Sequence, residues 1–159
     1  NTESLATVRR VPNEPGMAAK VFTLLGEAGV NVDMIVQASA STGTADISFT
    51  VPGSAAAKVR EVLQEKQDEL GYQSFDIDAN VGKVAVVGVG MKTHSGLAAK
   101  FFNALSDKGV NVLMISTSEI RIAALVPLEQ LQDAVRALHT AYGLDAEQVE
   151  AVVYGGTGR

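Results

Sequence analysis

The chain has 159 residues, of which 47% are hydrophobic and 19% are charged, a balance typical of a globular protein. Its formal net charge of −5 argues against a nucleic-acid partner, and the absence of cysteine excludes disulfides, thiolate nucleophiles and thiolate metal sites. No apolar run is long enough to span a membrane and the N-terminus does not read as a signal peptide, so we expect a cytoplasmic protein.

The first half of the chain is predicted to contain six elements in the order β-α-β-β-α-β. The turn PNEPG suits the start of the first helix because proline fits the first helical turn, and Gly29 suits its end. A second helix is predicted from an N-cap at Ser54 to Leu70, with Val59, Val62 and Leu63 facing inward. The predicted strands are Leu5–Val11, Val30–Ala40, Ala45–Val51 and Gln73–Asp78.

The second half repeats this order. A loop at Gly90–Ser95 precedes a helix striped by Leu97, Phe101 and Leu105, and a second stripe from Leu128 to Tyr142 marks the other helix. The predicted strands are Lys83–Val89, Val110–Thr117, Ile120–Val126 and Val149–Tyr154. The glycine-rich end, Gly155–Arg159, is expected to be mobile.

One block of sequence occurs twice, eighty residues apart. Gly16–Ile35 and Gly96–Ile115 are identical at twelve of twenty positions and align without a gap. A repeat of this length is the size of a small domain. We therefore predict an α+β fold of two ferredoxin-like βαββαβ domains, residues 1–80 and 81–159, packed side by side with antiparallel sheets. We leave open an exchange of terminal strands between them.

No set of residues suggests catalysis, a metal or a cofactor. His94 and His139 lie in different elements and lack metal-ligand spacing. A small-molecule site is better supported, because in each half a glycine-ended loop leads to a helix N-terminus, where free N–H groups attract a carboxylate. Polar residues that suit the rest of a free amino acid open the next strand: Asn31, Asp33 and Gln37 in one half, and Asn111, Ser116, Thr117, Ser118 and Glu119 in the other. The competing reading is that Asn31 and Asn111 only shape turns.

Several segments, among them PNEPGMAAKVF, GVNVDMIVQ and MISTSEIRI, resemble the regulatory region of bacterial aspartate kinase. This region consists of tandem ACT domains, and in many bacteria it is also made separately as a β subunit. The resemblance implies a dimeric regulatory module that binds threonine and lysine and inhibits a catalytic α subunit or kinase domain. That partner phosphorylates aspartate with ATP, early in the pathway to lysine, threonine and methionine. Since the chain starts at Asn1, we expect it to be a trimmed or excised piece.

The resemblance also assigns residues to two effector sites. The threonine-type site comprises Asn13, Pro15, Gly16, Ala18, Ala19, Val32 and Gln37, with Asn111, Val112 and Ile115 from a facing second domain. The lysine-type site comprises Asp33, Met91, Ser116, Thr117, Ser118 and Glu119. The chain departs from the family pattern at several positions: Asn13 replaces the usual Asp, Ser95 replaces the usual Pro, Arg9 and Arg10 stand in a normally apolar strand, and Ala123 and Ala124 replace bulkier residues.

Three other functions remain as alternatives. The chain is either a structural dimerisation module without a ligand, an ACT regulator of another amino-acid biosynthetic enzyme, or a small acylphosphatase-like enzyme. The last needs an arginine in a phosphate-binding loop, and neither PNEPG nor MKTHSG contains one.

Overall fold

The computed structural model describes residues 3–40, 42–88, 94–118, 121–143 and 151–155. The chain divides into two compact units, Asn1–Ala79 (unit 1) and Asn80–Arg159 (unit 2). The boundary between them falls inside one long strand, so its first part belongs to unit 1 and its second part to unit 2.

Unit 1 has three α-helices, one 3₁₀ turn and four strands in the order β2-β3-β1-β4. Strands β1 and β2 both pair antiparallel with β3. The elements are β1 (Glu3–Pro12), α1 (Met17–Glu27), β2 (Ile35–Ser39), β3 (Thr44–Pro52), a 3₁₀ turn (Gly53–Ala55), α2 (Ala56–Glu65), α3 (Gln67–Leu70) and the first part of β4 (Ser74–Gly88).

Unit 2 repeats this arrangement with the strand order β5-β6-β4-β7, and its pairs are antiparallel. Its elements are the rest of β4, α4 (His94–Asp107), β5 (Met114–Thr117), β6 (Arg121–Pro127), a 3₁₀ turn (Leu128–Gln130), α5 (Leu131–Gly143) and β7 (Ala151–Gly155). The predicted α+β, ferredoxin-like βαββαβ fold is therefore confirmed for both units.

Each unit has its own hydrophobic core between sheet and helices. In unit 1 the side chains of Leu25, Phe49 and Leu63 are fully buried. Val59, Val62 and Leu63, which were predicted to face inward from the second helix, are all buried, and so is Leu70 at its end. In unit 2 the core contains Phe101, Leu105, Leu131, Leu138 and Tyr142. Burial raises the pKa of the Tyr142 hydroxyl to about 12 because the charged form loses hydration.

Strands β2 and β5 are shorter than predicted. The predictions of Val30–Ala40 and Val110–Thr117 are wrong in their first halves, since the strands begin at Ile35 and Met114. The N–H groups of Val30 and Val110 donate instead to carbonyls of the preceding helices, Leu25 O and Leu105 O, both at 3.0 Å. Val30 and Val110 are apolar and buried, but their N–H groups close the ends of the preceding helices and do not pair with another strand.

A single strand replaces the two that were predicted on either side of residue 80. β4 runs without interruption from Ser74 to Gly88. Gly82, which reads as a strand breaker in sequence, lies against α5: a Cβ atom there would stand 2.8 Å from Leu131 Cδ2. This glycine therefore permits close packing within unit 2 and does not interrupt the strand.

Two helix starts also differ from prediction. Ser54 makes no capping hydrogen bond, because a 3₁₀ turn already begins at Gly53, and the helix that follows is interrupted at Lys66. In unit 2, α4 begins at His94, so His94 and Ser95, which were predicted to lie in the loop, belong to the helix. Other predictions fall on residues outside the description: most of the loop at Gly90–Ser95, Met91, Glu119, Ile120, the first residues of Val149–Tyr154, and all of the tail except Gly155.

Candidate functional site

Unit 1 contains a cavity of about 460 Å³ beside the N-terminus of α1. Its walls come from the end of β1, the β1–α1 turn, the first turn of α1, and strands β2 and β3. The lining residues are Val11, Pro12, Asn13, Glu14, Pro15, Gly16, Met17, Ala18, Ala19, Gln37, Ala45 and Ile47. This volume lies within the range of roughly 300–1,000 Å³ that small-molecule sites occupy.

The first turn of α1 presents free backbone donors to this cavity. Gly16 has φ +90°, and from that position its carbonyl accepts the N–H of Lys20 at 2.9 Å. Among the residues that the structure describes, no backbone acceptor is found for the N–H groups of Ala18 and Ala19, and no side chain caps the helix. Unpaired donors and the helix dipole together favour a bound anion such as a carboxylate.

Two polar side chains that line the cavity, Asn13 and Gln37, form a hydrogen-bonded chain with Ser39 beside it. Gln37 Nε2 donates to Asn13 Oδ1 at 3.4 Å, and Asn13 Nδ2 donates to Ser39 Oγ at 3.2 Å. The backbone N–H of Asn13 donates to Gly43 O at 3.0 Å, which holds the turn against the β2–β3 hairpin. These amide and hydroxyl groups are exposed to solvent and combine donors with acceptors, as recognition of an ammonium or a hydroxyl group requires.

The remaining wall is apolar. Val11, Ala45 and Ile47 are buried and close the inner end of the cavity. Glu14, which is exposed, is the one acidic or basic side chain among the lining residues that the structure describes. The cavity thus combines an anion-binding helix end, neutral polar groups and a small apolar surface.

We predict that replacing Gly16 by alanine destabilises unit 1. Its φ of +90° strains any side chain, although a Cβ there meets no atom within 4 Å. The expected loss is about 1–2 kcal/mol in the free energy of unfolding, measured by urea denaturation. Gly26 lies within α1 and has no positive φ, so its substitution by alanine should instead stabilise unit 1 by about 0.5–1 kcal/mol. Equal effects from both substitutions would contradict the assigned backbone conformation of Gly16.

The structure brings together six residues of the predicted threonine-type site. Asn13, Pro15, Gly16, Ala18, Ala19 and Gln37 all line the cavity. Val32 does not line it and packs, half-buried, against the core of unit 1. Asn111, Val112 and Ile115 belong to unit 2, where each is exposed.

The described residues of the predicted lysine-type site are divided between the units. Asp33 is exposed in the loop before β2, whereas Ser116, Thr117 and Ser118 are exposed at and just after the end of β5. Met91 and Glu119 lie outside the described residues. Over the parts of the chain that the structure covers, no group of three or more His, Cys, Asp or Glu side chains could hold a metal ion.

The two halves differ at the helix start that the sequence suggested they share. Gly16 precedes α1 with a left-handed backbone, but Gly96 is the third residue of α4 and has no positive φ. The prediction that a glycine-ended loop leads into both helices is therefore wrong for unit 2. Residues 89–93, which lead into α4, are outside the description.

Sequence reasoning missed one polar residue that lines the cavity and one that bonds to a lining residue. Glu14 lies within the PNEPG turn that was recognised as a helix start, and Ser39 hydrogen bonds to Asn13. Ser39 was detectable, since it lies two residues after Gln37 on β2 and side chains two apart on a strand share a face. Among the described helices, none combines the length and hydrophobicity needed to cross a membrane.

Comparison with known proteins identifies the family. A family model described as ACT domain matches the chain twice, over residues 9–67 and 84–142. The aspartokinase of Corynebacterium glutamicum is 46% identical over 160 residues, covering 99% of this chain but 38% of that protein. The chain therefore spans well under half the length of the curated relatives it matches.

Two solved structures share both fold and sequence with the chain. The crystal structure of aspartokinase alpha and beta subunits matches at 42% identity and a TM-score of 0.83, covering 89% of this chain and 93% of the other. The ligand-free regulatory subunit of aspartate kinase from Thermus thermophilus matches at 35% identity with the same TM-score and coverage. The chain belongs to the ACT-domain family, and its two ACT domains correspond to the regulatory part of aspartokinases.

Proposed function

We propose that the chain binds amino-acid end products and relays feedback inhibition to an aspartokinase catalytic domain or subunit. Threonine is the effector proposed for the cavity of unit 1, and lysine is proposed for a second site. The observation that carries the proposal is the cavity itself, which is lined both by helix residues with unpaired N–H groups and by neutral hydrogen-bonding side chains.

The chemistry of threonine fits the groups that line this cavity. Its carboxylate would accept hydrogen bonds from the N–H groups of Ala18 and Ala19. Its ammonium and hydroxyl groups would bond to the side chains of Asn13 and Gln37, and its methyl group would contact the apolar wall. Each polar group of the ligand then finds a partner, which limits the cost of removing it from water.

Exposed apolar edge strands support dimerisation as part of this function. Strands β2 and β5 each have one neighbour, and they or the loops before them expose apolar side chains: Ile35 is 52% exposed and Ile115 is 48% exposed. Unpaired apolar edges favour pairing with another chain. We propose that a second copy covers them, and that Asn111, Val112 and Ile115 of that copy complete the threonine-type site.

Lysine requires an extra negative charge, which the proposed lysine-type site offers. Asp33 carries such a charge beside β2, and the hydroxyl groups of Ser116, Thr117 and Ser118 supply hydrogen bonds from β5 and the residue after it. Met91 and Glu119 belong to this site by resemblance.

Effector binding would shift the population between active and inhibited arrangements of the whole kinase. The size of this shift is limited by the difference between the effector's affinities for the two arrangements.

A substitution that introduces a negative charge at residue 13 tests the proposed position of the threonine ammonium group. Asn13→Asp is expected to tighten threonine binding by roughly fivefold, because an ionised acceptor binds an ammonium group more strongly than an amide oxygen does. Gln37 and Ser39 can still donate to the carboxylate, so no buried group loses its partner. The measurement is the dissociation constant of threonine by isothermal titration calorimetry at low salt.

The matched control makes the same substitution in the other unit, at a residue that does not line the cavity. Asn103 is exposed on α4 in unit 2, and Asn103→Asp changes the net charge equally. Threonine affinity should respond to Asn13→Asp alone, and the gain should shrink as salt concentration rises. An equal response to both substitutions, or weaker binding by the Asn13 variant, would contradict the proposed position of the ammonium group.

A structural dimerisation module without a ligand remains the second candidate. The exposed edges of β2 and β5 favour dimerisation under either hypothesis. The two hypotheses differ in whether threonine or lysine changes the protein at all, and direct titration therefore distinguishes them.

A further inference from the structure

A glutamine side chain bridges two backbone groups at the end of α4 in unit 2. Gln130 Oε1 accepts the N–H of Asn111 at 2.9 Å, and Gln130 Nε2 donates to Gly109 O at 3.1 Å. Both bonds join residues about twenty positions apart in sequence, from the 3₁₀ turn before α5 to the turn after α4. One side chain thus satisfies a donor and an acceptor that no regular element pairs.

Unit 1 lacks this bridge at the corresponding place. The third residue of its 3₁₀ turn is Ala55, which can neither donate nor accept through its side chain. Its equivalent loop is held further along, where Thr50 Oγ1 bonds to the N–H of Met34 at 2.9 Å. The residue of unit 2 that corresponds to Thr50 is Leu125, whose carbonyl receives Leu113 N–H but whose side chain offers no bond.

Backbone bonds hold this loop on either side of Asn111, from Val110 N–H to Leu105 O and from Leu113 N–H to Leu125 O. β5 begins at Met114, so residues 111–113 precede the ladder, and the exposed side chains of Val112 and Leu113 make them poorly packed. Between these two bonds, the contact with Gln130 is the one that holds the N–H of Asn111 itself. A loop that is ordered before a ligand arrives costs less conformational entropy on binding.

We propose that Gln130 is a positioning residue for the threonine-type effector site. It acts through Asn111 and Val112, by holding their loop in the conformation that completes the site of a facing subunit. This inference rests on the proposed function, since it presupposes that threonine binds. Gln130 itself does not contact the effector.

The test compares three variants of the full chain. Gln130→Ala removes both bonds and is expected to raise the dissociation constant of threonine by roughly tenfold. Gln130→Glu keeps the acceptor for Asn111 N–H and loses the donor to Gly109, so a rise of roughly threefold is expected. Gln132→Ala, at an exposed position two residues away, is the matched control and should leave the constant unchanged.

Amide hydrogen exchange at Asn111, followed by NMR, is measured on the same samples. The Asn111 N–H should exchange faster in Gln130→Ala than in the wild type and the Gln132 control. Unchanged exchange would overturn the bridge itself. Faster exchange with unchanged threonine affinity would overturn the positioning role. If the wild type binds no threonine, the proposed function fails and the positioning role fails with it, while the exchange data still decide whether the bridge exists.

Discussion

Replacing Gln37 by alanine is expected to weaken threonine binding by at least roughly tenfold and to leave lysine affinity within about twofold. Gln37 lines the cavity from β2, and its amide donates to Asn13 Oδ1. The substitution removes a ligand partner and also frees Asn13 to turn away. Because both groups are exposed, the fold itself should lose little stability.

The reciprocal variant provides the control for selectivity. Asp33→Ala removes the charge assigned to the lysine-type site and leaves every described lining residue of the cavity in place. Calorimetric titration of each variant with each amino acid should show threonine binding lost in one and lysine binding lost in the other. Loss of both effectors in either variant would contradict two separate sites.

Replacing Phe49 by alanine is expected to have the largest effect on stability, about 3–5 kcal/mol of the free energy of unfolding. Phe49 is fully buried on β3, and its ring meets Phe22 edge to face at 5.4 Å between centroids. Its substitution leaves a cavity between the sheet and α1. A domain of this size has only about 5–15 kcal/mol in total, so unit 1 should be close to unfolding at physiological temperature.

Phe75→Ala provides the comparison within the same unit. Phe75 is only half-buried at the margin of the core, although it also packs edge to face, at 5.8 Å from Tyr72. Its loss should cost about 1–2 kcal/mol, since less surface returns to water. Urea unfolding followed by circular dichroism measures both variants. Equal losses would show that the core of unit 1 is centred elsewhere.

The repeated block allowed the fold to be predicted, but local sequence could not place every boundary. Val30 and Val110 begin apolar runs that suggest strands, yet their N–H groups close the preceding helices. That outcome depends on a left-handed glycine just before each valine, at Gly29 and Gly109. Gly82 likewise reads as a break, and only its approach to Leu131 explains it. A local hydrogen bond at the helix end decided the first case, and tertiary packing decided the second.

The parts of the candidate site that short sequence segments form could be predicted, whereas the contacts between distant residues could not. The PNEPG turn and Gln37 are recognisable in sequence because a helix start and a polar residue in an apolar strand both stand out. The Gln130 bridge was not recognisable, since it joins residues about twenty apart through a side chain that looks like ordinary helix surface. The facing contribution of Asn111, Val112 and Ile115 remains a prediction.

The most direct measurement is a calorimetric titration of the chain with threonine, with lysine and with both together. The proposed function predicts saturable heat of binding for threonine at or below millimolar concentration, with affinity at least roughly tenfold weaker in the Gln37→Ala variant. It also predicts a separate lysine signal that persists when threonine is already bound. Absence of heat for either amino acid at millimolar concentration would contradict the proposal that this module binds effectors.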